Sequence, residues 1–221
     1  MPAWRRQAIY FAPAAGSALA DFGAAWLGWD ACTGVVLPVP GSRAALVAGP
    51  ARYGFHATLK PPFRLRGSEA GLDAAAAAVA SEMRGFALAL RLGWLGGFLA
   101  LVPEEAPAAL RVLADACVTR LDRYRARAGE SELARRRGAR LDAAEEVNLI
   151  AWGYPYVLDR FQFHMTLTGP VPEAERAGVE ALVRPLVAPL VAEPVPVAEI
   201  CRFGEREDGR FVIVRRYPLG G

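Results

Sequence analysis

Apolar residues fall along this chain in short blocks, some alternating with polar residues at period two and others recurring every three or four positions, so strands and helices are expected in turn. Residues 7–12 read as a strand, and Pro13 and Gly16 turn the chain into a helix over 17–29 that Ser17 can cap. Residues 30–50 are rich in proline and glycine and read as a loop. A strand over 54–60 is stopped by Pro61 and Pro62, because proline cannot donate to a sheet ladder and restricts the residue before it. Ser68 caps an alanine-rich helix running to about Arg84, and strands over 86–92 and 97–102 follow, with a turn at 93–96.

Residues 107–150 read as helical and charged, and the basic run ARRRGAR at 134–140 reads as a solvated helical face or helix end, with contact to an anionic substrate as its other use. A strand over 160–168 ends at Gly169 and Pro170. A helix over 173–191, kinked or split by Pro185 and Pro189, leads to closing strands over 195–203 and 210–216, joined by a hairpin with Gly209 in a left-handed position. This alternation predicts an α+β or α/β architecture. Each half has a strand ending at proline, then a helix, then a pair of strands, so the chain reads as a diverged duplication in two copies.

With 221 residues the chain suits one domain or two small lobes sharing a core. Hydrophobic residues at 53% and charged residues at 22% support a folded core and argue against disorder or a coiled coil. The net charge of +3 is too small to predict duplex nucleic-acid binding, so any basic function must be local. Arginine supplies all the basic residues except Lys60. Cys32, Cys117 and Cys201 are odd in number and widely spaced, which suggests buried thiols in a reducing, cytoplasmic setting in place of a disulfide framework or zinc site. The amino-terminal stretch resembles a secretory signal only superficially, since Pro13, Gly16 and Ser17 interrupt its apolar run. Residues 86–102, with Arg91 and several glycines, fall short of a membrane span and read as buried strands.

The two histidines of the chain sit in matching contexts, Phe55-His56-Ala57-Thr58-Leu59 and Phe163-His164-Met165-Thr166-Leu167. Only five threonines are present, so threonine two places after both histidines has a chance of roughly 5 in 10,000, which makes coincidence a poor explanation. On a strand, side chains two apart share a face, so His56 and Thr58 point one way and His164 and Thr166 do the same in the other half. Converging on one cleft, two imidazoles would act as general acid and base while the threonine hydroxyls bind the oxygens of a phosphate. A single such histidine would more often be an ordinary structural residue. A metal site is the other rival, but no Asp, Glu or Cys lies at ligand spacing beside either histidine.

At these residues the sequence resembles the two-histidine (2H) phosphoesterase superfamily, whose signature is a pair of His-x-Thr/Ser motifs on related strands of two lobes. The stretches AIYFAP, RYGFHATLKPPF and FHMTLTGP resemble its branch associated with phosphonate-utilisation operons. The resemblance implies a bilobal fold, one domain over 1–221, with pseudo-twofold-related antiparallel sheets around a cleft and helices outside. It also implies a metal-independent cyclic phosphodiesterase with no cofactor, using His56 and His164 as acid and base and Thr58 and Thr166 as phosphate ligands. The branch implies a small ribose cyclic phosphate from carbon–phosphorus bond cleavage, such as phosphoribosyl 1,2-cyclic phosphate. A 2',3'-cyclic phosphodiesterase or ligase acting on RNA ends, or a non-catalytic nucleotide or RNA binder, are the alternatives. The expected partner is a small phosphate ester, with an RNA end as the variant, for a monomer without membrane contact.

Lys60, two places beyond Thr58, is expected to share the catalytic face and offer a point charge to phosphate. Tyr10 on the first strand and Tyr154 and Tyr156 before the second motif are expected to contact a sugar or base, and Arg52 and Tyr53 are similarly placed.

Overall fold

The computed structural model describes residues 4–138 and 140–221. The first three residues of the signal-like stretch, and Ala139 within the basic run, lie outside them. In chain order the elements are β1 (Gln7–Phe11), α1 (Ala18–Leu27), β2 (Trp29–Asp30), β3 (Val35–Val36), α2 (Gly41–Ala51), β4 (Ala57–Phe63) and α3 (Glu69–Ser81). Then come β5 (Phe86–Leu88), β6 (Leu90–Leu95), β7 (Phe98–Pro103), α4 (Ala108–Arg120), α5 (Glu130–Arg137) and α6 (Ala143–Trp152). The chain closes with β8 (Met165–Thr166), α7 (Glu173–Val187), β9 (Val195–Val197), β10 (Glu199–Glu205) and β11 (Phe211–Pro218).

The fold is α+β, with a sheet in the order β11-β10-β1-β4-β8-β7-β6 and antiparallel pairing throughout. It divides into two lobes, β11-β10-β1-β4 and β8-β7-β6, joined at one residue pair, Ala57 with Met165. The duplication is interlaced. Strands β6 and β7 follow the first motif in sequence but pair beside the second, while β10 and β11 follow the second and complete the lobe of the first. A core cluster drawn from both lobes, including Ile9, Phe11, Ala57, Leu59, Leu99, Leu101 and Met165, fills one face of the sheet beneath the helices. A smaller cluster of Tyr10, Trp29, Phe203 and Phe211 lies apart from it.

Local chemistry explains the helix ends. The Ser17 and Ser68 hydroxyls accept from the backbone N–H groups of Ala20 and Gly71, and Gly28 ends α1 in the left-handed conformation with φ 74°. The region expected to be a loop, 30–50, instead holds the β2–β3 hairpin and α2. Two of its three prolines sit at the ends of that helix, Pro40 at the N-cap and Pro50 in the last turn, and Pro38 precedes it. Having no N–H, Pro50 leaves the Leu46 carbonyl open, and the backbone N–H of Gly169 donates to it at 2.7 Å. The Trp26 indole donates to the Leu167 carbonyl at 2.7 Å. Both bonds pin the chain just beyond the second motif.

Other boundaries move for similar reasons. The expected strand over 86–92 breaks into β5 and β6, and β6 runs through Gly93 to Leu95, so the turn lies at Gly96 and Gly97. Only Met165 and Thr166 of the expected 160–168 strand pair, and its first residue falls in a turn of 3-10 helix over 158–160. The helix after the second motif does split near its prolines, ending at Val187 before a 3-10 turn over 188–190. Among the described residues no helix is long and apolar enough to cross a membrane. Cys117 and Cys201 are buried, which pushes both thiols up to about 12, whereas Cys32 is exposed, contrary to expectation, beside the β2–β3 hairpin.

Candidate active site

The pairing of Ala57 with Met165 puts the middle residues of the two motifs opposite one another. Antiparallel register then sets His56 against Thr166 and Thr58 against His164 on the neighbouring positions. Ala57 and Met165 are fully buried, so their side chains take the core face and the four polar side chains take the other. Diagonal positions on adjacent strands lie about 7–8 Å apart, a spacing at which two imidazoles can flank one phosphate. All four residues line one cavity of about 710 Å³.

Each histidine is held in the same way. His56 Nδ1 lies 2.9 Å from the Gly54 carbonyl, and His164 Nδ1 lies 2.8 Å from the Gln162 carbonyl. A carbonyl only accepts, so each Nδ1 carries the hydrogen, and in the neutral ring each Nε2 is left with its lone pair. His56 Nε2 stands 3.3 Å from the Thr58 hydroxyl, which can donate to it. The Gly54 carbonyl is aimed by a backbone with φ +73°, and a Cβ there would meet the Ala31 Cβ at 2.6 Å, so both conformation and space require glycine.

Tyr10 stacks on His56 with ring centroids 3.9 Å apart, and Phe203 and Tyr53 flank the same ring at 6.1 and 6.0 Å. This burial, together with the His164 charge, lowers His56 from its ordinary value to about 4, against a smaller upward pull from the Gly54 carbonyl. Burial also lowers His164, whose aromatic neighbour Phe98 lies 5.6 Å away. Both shifts favour the neutral ring. Burial raises the Tyr10 and Tyr154 phenols, which stay protonated.

Lys60 does not share the catalytic face. Tyr10 pairs with Thr58 but Ile9 pairs with Lys60, one step on β1 for two on β4, so a bulge inserts a residue and reverses the parity. The side chain, 1% exposed, runs under the sheet, where Nζ donates to the Val118 carbonyl at 3.0 Å and to Asp122 Oδ1 at 3.1 Å. Val118 is in the last turn of α4, so Lys60 acts as a buried cap on that helix. Burial brings its pKa down to about 8 despite Asp122.

Tyr10 and Tyr154 line the cavity, as do Arg52 and Tyr53. Tyr156 does not. It is exposed, meets Tyr154 edge-on at 5.6 Å, and lines an adjoining recess of about 820 Å³ with Trp94, Phe98 and Phe161. The loop carrying both tyrosines is held by buried Asn148, whose Nδ2 donates to the Pro155 and Val157 carbonyls at 3.3 and 3.0 Å.

Arg5, Arg6, Arg64 and Glu205 also line the cavity and did not stand out in the sequence, and Arg135 and Arg136, from the basic run whose other expected use was contact with an anionic substrate, line it too. Arg135 and Arg136 belong to the run read as a solvated helix face. Charge on a helix reads alike whether it faces bulk water or a cleft, and only the docking of α5 against α6 decides which. Burial pushes the Glu205 carboxyl up, but Arg6 at 2.5 Å and Arg52 at 2.7 Å more than offset this and hold it below the usual range. Among the described residues no three His, Cys, Asp or Glu side chains come together as a metal site.

The chain matches the family described as "Protein of unknown function (DUF1045)" over residues 58–212. It is 35% identical over 231 residues to ribose 1,5-bisphosphate phosphokinase PhnN of Janthinobacterium sp. (strain Marseille), covering 98% of this chain and 51% of that protein. Against the protein of the same name from Laribacter hongkongensis (strain HLHK9) it is 35% identical over 184 residues, covering 77% and 41%. The chain thus spans about half the length of the curated relatives it matches. Among solved structures it is similar to E. coli LigT complexed with 3'-AMP, at 16% identity and TM-score 0.47 over 99% of each chain. A crystal structure titled only as a phosphoesterase aligns at 17% identity and TM-score 0.45, over 98% of this chain and 99% of that one.

Proposed function

The chain belongs to the DUF1045 family, and from that premise we propose that it is a two-histidine phosphodiesterase opening a small ribose cyclic phosphate. The observation that carries this reading is the Ala57–Met165 pair, whose register turns two distant motifs into one acid–base site with matching Nδ1 locks. His56, the ring stacked under Tyr10, suits the base: as substrate binds, the Thr58 hydroxyl turns its proton to the phosphate and frees Nε2, which takes a proton from water as the water oxygen bonds to phosphorus. His164 suits the acid. Bound phosphate, an anion beside the ring, raises its pKa and loads Nε2 with a proton, which passes to the ribose oxygen as the phosphorus–oxygen bond breaks. The Thr58 and Thr166 hydroxyls donate to the non-bridging oxygens as charge gathers on them.

The chemistry needs no metal, since the two imidazoles supply both proton transfers. The ribose reading draws on the name of the curated relatives, which concerns a ribose bisphosphate, and makes a link to phosphonate-derived ribose phosphates part of the proposal. A reducing cytoplasm suits the buried Cys117 and Cys201.

The test is hydrolysis in EDTA of phosphoribosyl 1,2-cyclic phosphate and of 2',3'-cyclic nucleotides, with His56→Ala and His164→Ala in parallel. Turnover should survive the chelator and fall by about 10²–10⁴ in each variant. Preference for the nucleotides would move the substrate to RNA ends. Activity abolished by EDTA, or unchanged in either variant, would reject the mechanism.

A further inference from the structure

We propose that Arg64 and Arg135 form a second anion site, which holds a phosphomonoester carried by the same substrate whose cyclic diester lies between His56 and His164. This rests on the reading above, whose first test compound already carries such a monoester, and adds to it the residues that bind that group.

The charge count favours more than a diester. Six arginines and two glutamates line the cavity, a surplus of four positive charges with both histidines neutral. The whole chain carries only +3, so everything outside the cavity nets one negative charge. A phosphodiester brings one negative charge, whereas a phosphomonoester adds about 1.5 to 2 more at pH 7. The positive charge is thus focused in the cleft, which suits a compact polyanion better than a polynucleotide lying along an extended basic groove.

The arginines also divide by their partners. Arg6 and Arg52 are both committed to Glu205, and Arg136 pairs with Glu132 at 3.2 Å while its guanidinium lies 5.1 Å from the Tyr154 ring centre. Arg5, Arg64 and Arg135 have no carboxylate within 4 Å among the described residues, and of these Arg5 donates to the Glu207 carbonyl at 3.3 Å. Arg64 and Arg135 line together both the cavity and a side recess of about 460 Å³, whose other lining residues are Gly129, Ser131 and Glu132, the last of these paired with Arg136. Arg64 follows directly on β4, and its carbonyl accepts from the Ala126 N–H at 2.8 Å, so it has a fixed base. Arg135 stands on α5, a helix without a buried residue. Planar guanidinium forks match the oxygens of a terminal phosphate two at a time.

The test compares ribose 1,2-cyclic phosphate with and without a 5-phosphate, on the wild-type protein and on the Arg64→Gln/Arg135→Gln variant. Hydrogen bonds to a charged group predict that the 5-phosphate raises kcat/KM by roughly 10- to 100-fold in the wild type. That ratio should fall towards one in the variant, whose fold is checked by circular dichroism and thermal melting. A wild-type ratio near one, or a ratio unchanged in the variant, would overturn the site. Stimulation of the unphosphorylated compound by inorganic phosphate in the wild type, lost in the variant, would support the site, because the free anion then takes the place of the missing 5-phosphate. Calorimetric binding of both compounds to the His56→Ala/His164→Ala variant, with and without the arginine changes, reads the same ratio without turnover. Absence of hydrolysis with the binding ratio intact would sink the proposed reaction and leave the second phosphate site standing.

Discussion

Acidification from pH 7 to pH 4 should cost this protein a specific amount of stability through His56. Folded, the ring is held down to about 4, chiefly by burial under Tyr10, Tyr53 and Phe203. Unfolded, it returns to the ordinary value near 6.5. Below pH 6.5 the unfolded chain therefore binds a proton that the folded one refuses, so stability falls with pH through this window and is fully present above it. A gap of about 2.5 units at 1.36 kcal/mol each gives a loss of roughly 3 kcal/mol by pH 4. Carboxylates held low in the fold, such as Glu205 and Asp122, lose stability in the same range but do so with or without the imidazole. Urea unfolding of wild type and His56→Gln from pH 7 to pH 4 isolates the histidine: the difference between the two curves should move by about 3 kcal/mol in favour of the variant. With only two histidines in the chain, an NMR titration assigns each ring by its single substitution and reads the Nδ1–H tautomer directly. Parallel stability curves, or a His56 ring titrating near 6.5, would refute the burial argument and with it the assignment of His56 as the base.

Removing the hydroxyl alone, with Thr58→Val or Thr166→Val, keeps the β-branched shape and should lower kcat by roughly 10- to 1,000-fold with little change in KM. Steady-state kinetics check this, and a change confined to KM would place the hydroxyls in ground-state binding only. Lys60→Met should do the reverse, lowering urea stability by about 1–3 kcal/mol through loss of the bond to the Val118 carbonyl while leaving kcat/KM within a few fold. A large loss of activity at unchanged stability would return Lys60 to the phosphate.

The motif pair and the alternation of strands and helices were legible because each depends on neighbours a few residues apart. Ser17, Ser68 and Gly209 do their work within one turn of chain, and the structure finds them at the ends and turn where their chemistry puts them. Lys60 failed because counting by twos from Thr58 assumes an unbroken pleat, and a bulge within β4 is set by how β1 lies against it. Helix α2 was hidden because Pro40 and Pro50 lower the apparent helicity of the whole segment, although they fall where a helix tolerates or uses them. The arginines of the cleft come from β1's approach, the end of α2, β4's end and α5, separate segments whose convergence no local pattern encodes. The exchange of strand pairs between lobes is non-local in the same sense. What links the two levels is the pair Ala57–Met165: burial of both side chains specifies the register, since a slip of one residue would turn the motif side chains of one strand into the core and leave an apolar set facing the cleft. The alternation inside each motif thus contains the condition for their meeting, while the strand that each one meets is decided 108 residues away.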